Sequence, residues 1–518
     1  MLVQDILEYR AREQADSPAL RDGARTWTYA ELEALAESVA DALVAAGIGH
    51  GDRVAVLADN CLEYFAWYFG AAKVGAVTVP LNQRLAPPEW AYILDDAAAR
   101  LVIARGARVA ALDAVRAELT GVETFVAADA AQDGWEDLDG WLQRAPRRSR
   151  TGGVHPDDPF VQMYTSGTTG RPKGAIISHR ALVDSLWQGL IAVNPGDAAR
   201  IHLAMPVSHM GSTSNALLIM LGGGSVYLQQ AFDPHESVRI IDEEGITYSV
   251  LVPAMIQAIL VNVPDVTDRT FPDLRLIGYG AAPIAPHTLR RAMEVFNCDF
   301  FQGFGQTEAS GSVTYLTQAD HRRAARGDEH LLTSAGRPAI GTEVRVVDPD
   351  GNDCAPGEVG EIVMRGPQQM SGYWNLPEET AKALRDGWLH MGDAGTLNEE
   401  GYLYIKDRIK DMIVTGGENV YPAEVERVLF EHDAVADAAV IGVPDERWGE
   451  VAKAFVVLKP GAAASDEELI AFCKSQIAGF KVPKTVSFLD KLPRNASGKV
   501  LKYELRAPFW DAHGRGVA

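Results

Sequence analysis

A chain of 518 residues, 47% hydrophobic and 23% charged, exceeds what one core organises and has the composition of a globular protein, so two or more domains are expected. The net charge of −22 with no basic stripe excludes nucleic-acid binding, so an anionic ligand has to be met by local positive groups. Cys61, Cys298, Cys354 and Cys473 show no CxxC spacing, which argues against a zinc site or a disulfide framework and leaves reduced packing residues.

The first ten residues place acidic side chains inside an apolar stretch, the pattern of an amphipathic helix rather than a signal peptide. No apolar run reaches the ~20 residues that span a bilayer, and the final Gly-Arg-Gly-Val-Ala carries no lipidation or peroxisomal signal, so a cytoplasmic protein is expected. From 27 to about 102, a helical pattern over 29–46 alternates with short apolar runs near Asp52 and Gly75, which predicts βα units and a mostly parallel sheet. Residues 129–156, rich in Asp, Arg and Gly, read as a surface connection. A second alternating region predicts strands over 161–164, 226–228, 248–252 and 276–279 and helices over 181–191 and 286–296.

Beyond Gly336 the pattern becomes β-hairpins, with strands over 344–347 and 361–365 around Asp348-Pro-Asp-Gly and another turn at Asn398-Glu-Glu-Gly. After Asp407-Arg-Ile-Lys-Asp it resets to a helix over 422–431, strands over 438–443 and 453–458, a helix over 466–478 and a strand over 485–489. The expected fold class is therefore α/β: a large N-terminal domain over 1–407, built of βα-layered subdomains and a β-rich one, then a small α+β domain over 408–518.

The densest chemical signal is Tyr164-Thr-Ser-Gly-Thr-Thr-Gly-Arg-Pro-Lys-Gly174, directly after a predicted strand. Its glycines let the backbone approach an anion, its hydroxyls donate, and Lys173 adds a mobile charge, a combination suited to a nucleotide triphosphate. It is not a Walker A loop, because Lys173 is followed by Gly174 rather than Ser or Thr. Glu308, after Gly305-Gln-Thr, is a carboxylate able to hold Mg²⁺. Asp393, near a turn, can accept both hydrogen bonds of a ribose diol.

The Gly/Thr-rich loop resembles the signature loop of the adenylate-forming superfamily, which includes acyl-CoA synthetases, peptide-synthetase adenylation domains and beetle luciferases. Further segments resemble the superfamily in the same order: Met205-Pro-Val-Ser-His-Met-Gly, Gly278-Tyr-Gly-Ala-Ala-Pro, Gln302-Gly-Phe-Gly-Gln-Thr-Glu308, Gly387-Trp-Leu-His-Met-Gly-Asp393, Asp407-Arg-Ile-Lys-Asp-Met-Ile-Val-Thr-Gly-Gly and Pro493-Arg-Asn-Ala-Ser-Gly-Lys499. The resemblance implies an AMP-forming acyl-CoA synthetase that uses ATP, Mg²⁺ and coenzyme A.

It further implies a nucleotide site of Thr165, Ser166, Gly167, Thr168, Thr169, Gly170, Lys173, Gly280, Ala281, Ala282, Gln302, Gly303, Phe304, Gly305, Thr307, Asp393, Arg408 and Lys499. In it, Phe304 stacks on adenine, Thr307 bonds the α-phosphate and Glu308 binds the metal. Lys499 aims positive charge at the α-phosphate, where charge builds in the transition state. Together with Lys173, Thr307 and Glu308 it makes up the expected catalytic set. Lys410 corresponds to the pivot between an adenylating and a thiolating pose, and Thr415, Gly416 and Gly417 to the path of coenzyme A. The acid pocket maps to Ser208, His209, Met210, Gly211, Ser214, Tyr279, Gly280 and Gly303.

A medium or long fatty acid is the expected substrate, with hydroxycinnamate- or benzoate-type aryl acids second. Two other functions compete: loading of a carrier protein on a separate chain, and a luciferase-like oxygenation for which no residue speaks. Leu221-Gly-Gly-Gly-Ser225 resembles a phosphopantetheine site but fits a tight turn better. A homodimer is compatible with the sequence. Lys499 lies in a Pro-x₄-Gly-Lys pattern like that acetylated in bacterial acyl-CoA synthetases, which makes a lysine acetyltransferase and deacetylase expected partners.

Overall fold

The computed structural model describes residues 1–143, 153–165, 172–196, 198–282, 284–408, 411–415, 418–445, 447–494 and 500–510. The chain divides into two compact units, one of residues 1–343 with 364–389, the other of 344–363 with 390–518.

The first unit holds two sheets. One has eight strands in the order Gly372–Tyr373, Lys173–Ser178, Pro159–Thr165, Val77–Pro80, Arg53–Leu57, Ala99–Arg105, Thr124–Ala128 and Glu136–Asp137. Arg53–Leu57 and Val77–Pro80 read as near-continuous apolar runs because both faces are covered, as a parallel arrangement requires. The other sheet has nine strands: Arg337–Pro338, Gly311–Leu316, Asp299–Gln306, Leu276–Gly280, Tyr248–Val250, Arg200–Leu203, Ser225–Leu228, Pro18–Arg21 and Thr26–Thr28.

Helix starts follow local chemistry. Thr28 accepts from Glu31 N while Glu31 accepts from Thr28 N, a reciprocal cap on Tyr29–Ala45. Ser178 caps His179–Val193 through Ala181 N at 3.1 Å. Pro286 opens Pro286–Phe296, and Asn297 ends it in the left-handed region at φ 45°. Gly223, at φ 82°, makes the turn between Met210–Leu221 and Ser225–Leu228. The 129–156 connection also forms structure that its composition hides: the strand Glu136–Asp137 and the helix Leu138–Gln143, whose Trp141 is buried.

Glu343–Val347, Gly360–Arg365, Trp388–Leu397 and Leu403–Arg408, most of whose residues fall in the second unit, form sheet strands, with the Asp348 and Asn398 turns closed by Gly351 N and Gly401 N. A further sheet orders Glu418–Val420, Ile413–Thr415, Gly449–Leu458 and Val435–Asp445, with Thr485–Phe488 parallel to Gly449–Leu458. Ile413, Val425, Leu429, Val440, Val456 and Leu469 belong to the core under helices Pro422–Phe430 and Asp466–Gln476. The helix Lys502–Trp510 has no counterpart in the sequence reading, because Pro508 inside it reads as a breaker. Among the described residues no helix is long and apolar enough to cross a membrane.

Candidate functional site

The strands Pro159–Thr165 and Lys173–Ser178 run antiparallel, and Thr165 pairs with Lys173 across the mouth of the Gly/Thr-rich loop. Ser166, Gly167, Thr168, Thr169 and Gly170 lie outside the described residues. Lys173 is 9% exposed, its ammonium bonded to the Glu379 carboxylate and 5.2 Å from the Tyr373 ring centroid. Tyr164 is anchored from behind, donating to Asp96 at 2.6 Å.

Glu308 sits in the one-turn helix Thr307–Ala309 that follows the strand Asp299–Gln306. Ser310, at φ 53°, closes that turn, its N donating to Thr307 O. The carboxylate is 8% exposed, and its Oε1 accepts from Thr165 Oγ1 at 3.1 Å and from Tyr373 Oη at 2.9 Å. Met370 N also donates to Glu308 O at 2.8 Å. Burial and the Glu308 charge push the Tyr373 phenol well up, so it stays a donor. A carboxylate among hydroxyls fits a hard divalent ion that keeps phosphate and water as its other ligands.

Gly280 and Gly303 are register partners on adjacent parallel strands. A Cβ on Gly280 would stand 2.4 Å from Gly303 O, and one on Gly305 1.9 Å from Gly311 O. These positions therefore require glycine for strand approach, whatever binds above them. Ala281 leaves the strand at φ 65°, and it and Ala282 are exposed beside the half-buried Gln302, Phe304 and Thr307. The strand ends thus bring the predicted purine-side residues onto one ledge.

On the acid side, His209 precedes the helix Met210–Leu221 and accepts from Asn82 Nδ2 at 3.3 Å. Burial, with the charge of Arg84 adding to it, holds His209 down to about 4, so the ring is neutral at pH 7. Ser208 is buried and faces Gln83 at 3.4 Å, Gly211 is open, and Ser214 lies beside Gly311, where a Cβ would meet its Oγ at 3.7 Å. Met210 is buried, turned into the core. Tyr279 does not join this group through its hydroxyl. Strand alternation turns it the other way, 2% exposed, donating to His321 Nε2 at 2.9 Å.

In the second unit Asp393 is the register partner of Arg408 on the neighbouring antiparallel strand. Thr415 is 7% exposed and pairs with Glu418 and Gly449. Lys410, Gly416, Gly417 and Lys499 lie outside the described residues.

The sequence reading missed Tyr373 and Glu379. They sit on a strap in which Gly372 and Tyr373 pair with Ile176 and Ala175, Trp374 N donates to Gly174 O, and Trp374 Nε1 donates to Asp96 O at 2.9 Å. Pro377-Glu-Glu marks a helix start but says nothing of a partner 206 residues away.

The AMP-binding enzyme profile matches residues 7–374, and the AMP-binding enzyme C-terminal domain profile matches 424–499. The fatty acid–[acyl-carrier-protein] ligase ScoC of Streptomyces coeruleorubidus is 40% identical over 98% of this chain and 96% of its own. A feruloyl-CoA synthase of Amycolatopsis sp is 41% identical over 96% and 97%. The crystal structure of the anthranilate CoA ligase AuaEII in complex with anthranoyl-AMP superposes with a TM-score of 0.92 at 27% identity, covering 99% of this chain and 98% of that one.

Proposed function

We propose a substrate class for a chain that belongs to the AMP-binding enzyme family, and so is an acid–thiol ligase that joins a carboxylic acid to coenzyme A at the expense of ATP: its acid is an aryl acid with a polar ring substituent. One observation carries this reading. Tyr248 Oη donates to Asn215 Oδ1 at 2.8 Å beside an aromatic row in which Tyr248, Phe301 and Tyr315 have ring centroids 6.0 and 6.3 Å apart. A planar ring suits flat aromatic neighbours, and with Asn215 half-buried and its Nδ2 already donating to Gly211 O at 2.7 Å, the acceptor lone pairs of Tyr248 Oη are what a ring hydroxyl of the acid would donate to. The likeness to a feruloyl-CoA synthase supports the same reading. A second reading, a medium or long fatty acid, is favoured by the likeness to ScoC along nearly the whole chain.

The residues divide the labour as follows. Thr165, Lys173 and the loop between them take the polyphosphate, and Thr307 bonds the α-phosphate. Phe304 with Gly280, Ala281, Ala282, Gln302, Gly303 and Gly305 receives the purine, and Asp393 with Arg408 the ribose. Glu308 is the ligand for Mg²⁺, which when bound neutralises phosphate charge. Ser208, His209, Gly211 and Ser214 border the acid, and the neutral imidazole spares it an added positive charge. Lys499 offsets the charge that builds on the α-phosphate as the carboxylate attacks and diphosphate leaves. Lys410, at a domain boundary at 407/408, is the pivot that trades Lys499 for the Thr415-Gly-Gly path of coenzyme A, in a cytoplasmic enzyme.

Diphosphate release is measured over hydroxycinnamates, benzoates and the fatty acids from hexanoate to dodecanoate, with thioester formation followed on coenzyme A and on a carrier protein. Strong turnover of hydroxylated aryl acids with a flat aliphatic response is expected. A steady gain of about 0.8 kcal/mol per methylene with no aryl turnover favours the fatty acid and overturns the aryl reading. Lys499→Ala is expected to abolish diphosphate release while conversion of preformed acyl-adenylate to thioester survives.

A further inference from the structure

Lys173 and Glu379 pair across 206 residues, and nothing in the assignments above uses that pair. The carboxylate is shared. One oxygen, Oε2, takes the Lys173 ammonium, and the other, Oε1, accepts from Lys382 at 2.6 Å. The two lysines differ in setting, the Lys173 side chain being 11% exposed and that of Lys382 71%. The Lys173 bond, with Lys382 second, holds the Glu379 carboxyl down to about 2, so the charge is present at any working pH.

The carrier of Glu379 is lightly held. Its seven-residue helix Pro377–Ala383 has no buried residue, and apart from the Lys173 pair it is held at Thr380 Oγ1, which accepts from Tyr373 N at 2.9 Å and donates to Leu376 O at 2.9 Å. The Tyr373 ring that lies beside the ammonium is the same one whose hydroxyl bonds Glu308. The single cation on the described part of the polyphosphate loop is therefore already neutralised by a carboxylate that can let it go without being stranded, because Lys382 remains.

We propose that Glu379 is a positioning residue that holds Lys173 between turnovers and yields it to the β- and γ-phosphates of ATP, and to the diphosphate product. This rests on the reading of Lys173 as a polyphosphate-binding residue. Tight binding of a polyphosphate then requires breaking the Lys173–Glu379 pair, while a monophosphate leaves it intact. The device lowers affinity for diphosphate and so favours its departure once the adenylate has formed.

The test compares wild type, Glu379→Gln, Lys173→Met and the double variant, each checked by thermal melting. It reads KM for ATP and inhibition constants for diphosphate and for AMP. Glu379→Gln is expected to tighten diphosphate and lower KM for ATP by roughly 3- to 10-fold, the size of a partly screened charge-assisted bond. AMP inhibition should change less than twofold, and the Glu379 effect should vanish in the Lys173→Met background. Diphosphate affinity unchanged in Lys173→Met would refute the reading of Lys173 itself. A normal Lys173→Met weakening combined with diphosphate affinity that is unchanged or weaker in Glu379→Gln, or that shifts in parallel with AMP, would overturn the proposal for Glu379.

Discussion

Replacing Gly303 with alanine tests the glycine ledge quantitatively. The added methyl would stand 2.4 Å from Ser312 Oγ and 3.3 Å from Ser312 Cβ, on the strand that pairs antiparallel with Asp299–Gln306. Overpacking of this kind costs about 2 kcal/mol. The obstacle is one hydroxyl, so Ser312→Ala should relieve it. Alone, Ser312→Ala loses a hydrogen bond to Tyr315 and costs about 1 kcal/mol. Independent effects would sum to about 3 kcal/mol in the double variant, whereas relief leaves it little worse than Ser312→Ala, a coupling of about 1.5 kcal/mol or more. Gly280→Ala is the control: its methyl meets the Gly303 carbonyl at 2.4 Å, backbone that Ser312→Ala does not move. Calorimetric melting is the assay, compared on the same transition throughout because a chain of two compact units need not melt in one step. An additive Gly303/Ser312 pair, or rescue of Gly280→Ala by Ser312→Ala, would refute the packing argument.

Two further outcomes follow from buried charge. The Lys73 ammonium has no exposed surface and bonds Glu8, Glu33 and Glu37 at 3.0, 2.7 and 2.9 Å. Lys73→Ala removes the cation shared by three carboxylates whose oxygens lie within 4.8 Å of one another, and should cost about 3–5 kcal/mol. Burial already pushes the Glu33 carboxyl up, so the melting deficit should narrow as pH falls and Glu33 takes up a proton, and a loss below about 1 kcal/mol at pH 7 would contradict this account. His202 and His321 are 0% and 1% exposed, and burial holds each down to about 4, against about 6.5 for an ordinary histidine. Between those values the unfolded chain binds more protons than the native one. Their contribution is thus complete above about pH 6.5 and is lost as pH falls through about 4, by up to about 3 kcal/mol each. His321→Asn should flatten the decline in melting temperature over that window, and an unchanged slope would count against burial as its cause.

Elements with local signals were readable in the sequence. Pro286–Phe296 carries its proline start and left-handed asparagine end, and the turns at Asp348 and Asn398 announce themselves by composition. The glycines at 280, 303 and 305 read in the sequence only as ligand-site positions, since the clash that each avoids shows only in the register of adjacent strands and in the contacts a Cβ would make. Tyr279 reads as a pocket-wall residue from its neighbours in sequence; strand alternation sends its hydroxyl to His321, and no sequence signal names that partner. Tyr373 and Glu379 stayed hidden because their meaning lies in contacts with Glu308 and Lys173, 65 and 206 residues away. Pairings at such separation follow from topology rather than local propensity.

The strap at Gly372–Tyr373 also bears on how the protein is made. It supplies the outermost strand of the eight-stranded sheet, pairing with Ile176 and Ala175 of Lys173–Ser178. During synthesis nearly two hundred residues must leave the ribosome after Lys173–Ser178 before that edge is covered, a delay on the order of 10–40 s at ordinary elongation rates. Throughout it, a strand reading Lys-Gly-Ala-Ile-Ile-Ser offers unpaired backbone groups on its open side. Fragments ending before Gly372 should accordingly be prone to edge-to-edge association and to chaperone capture, while fragments ending after the strap should be far less so.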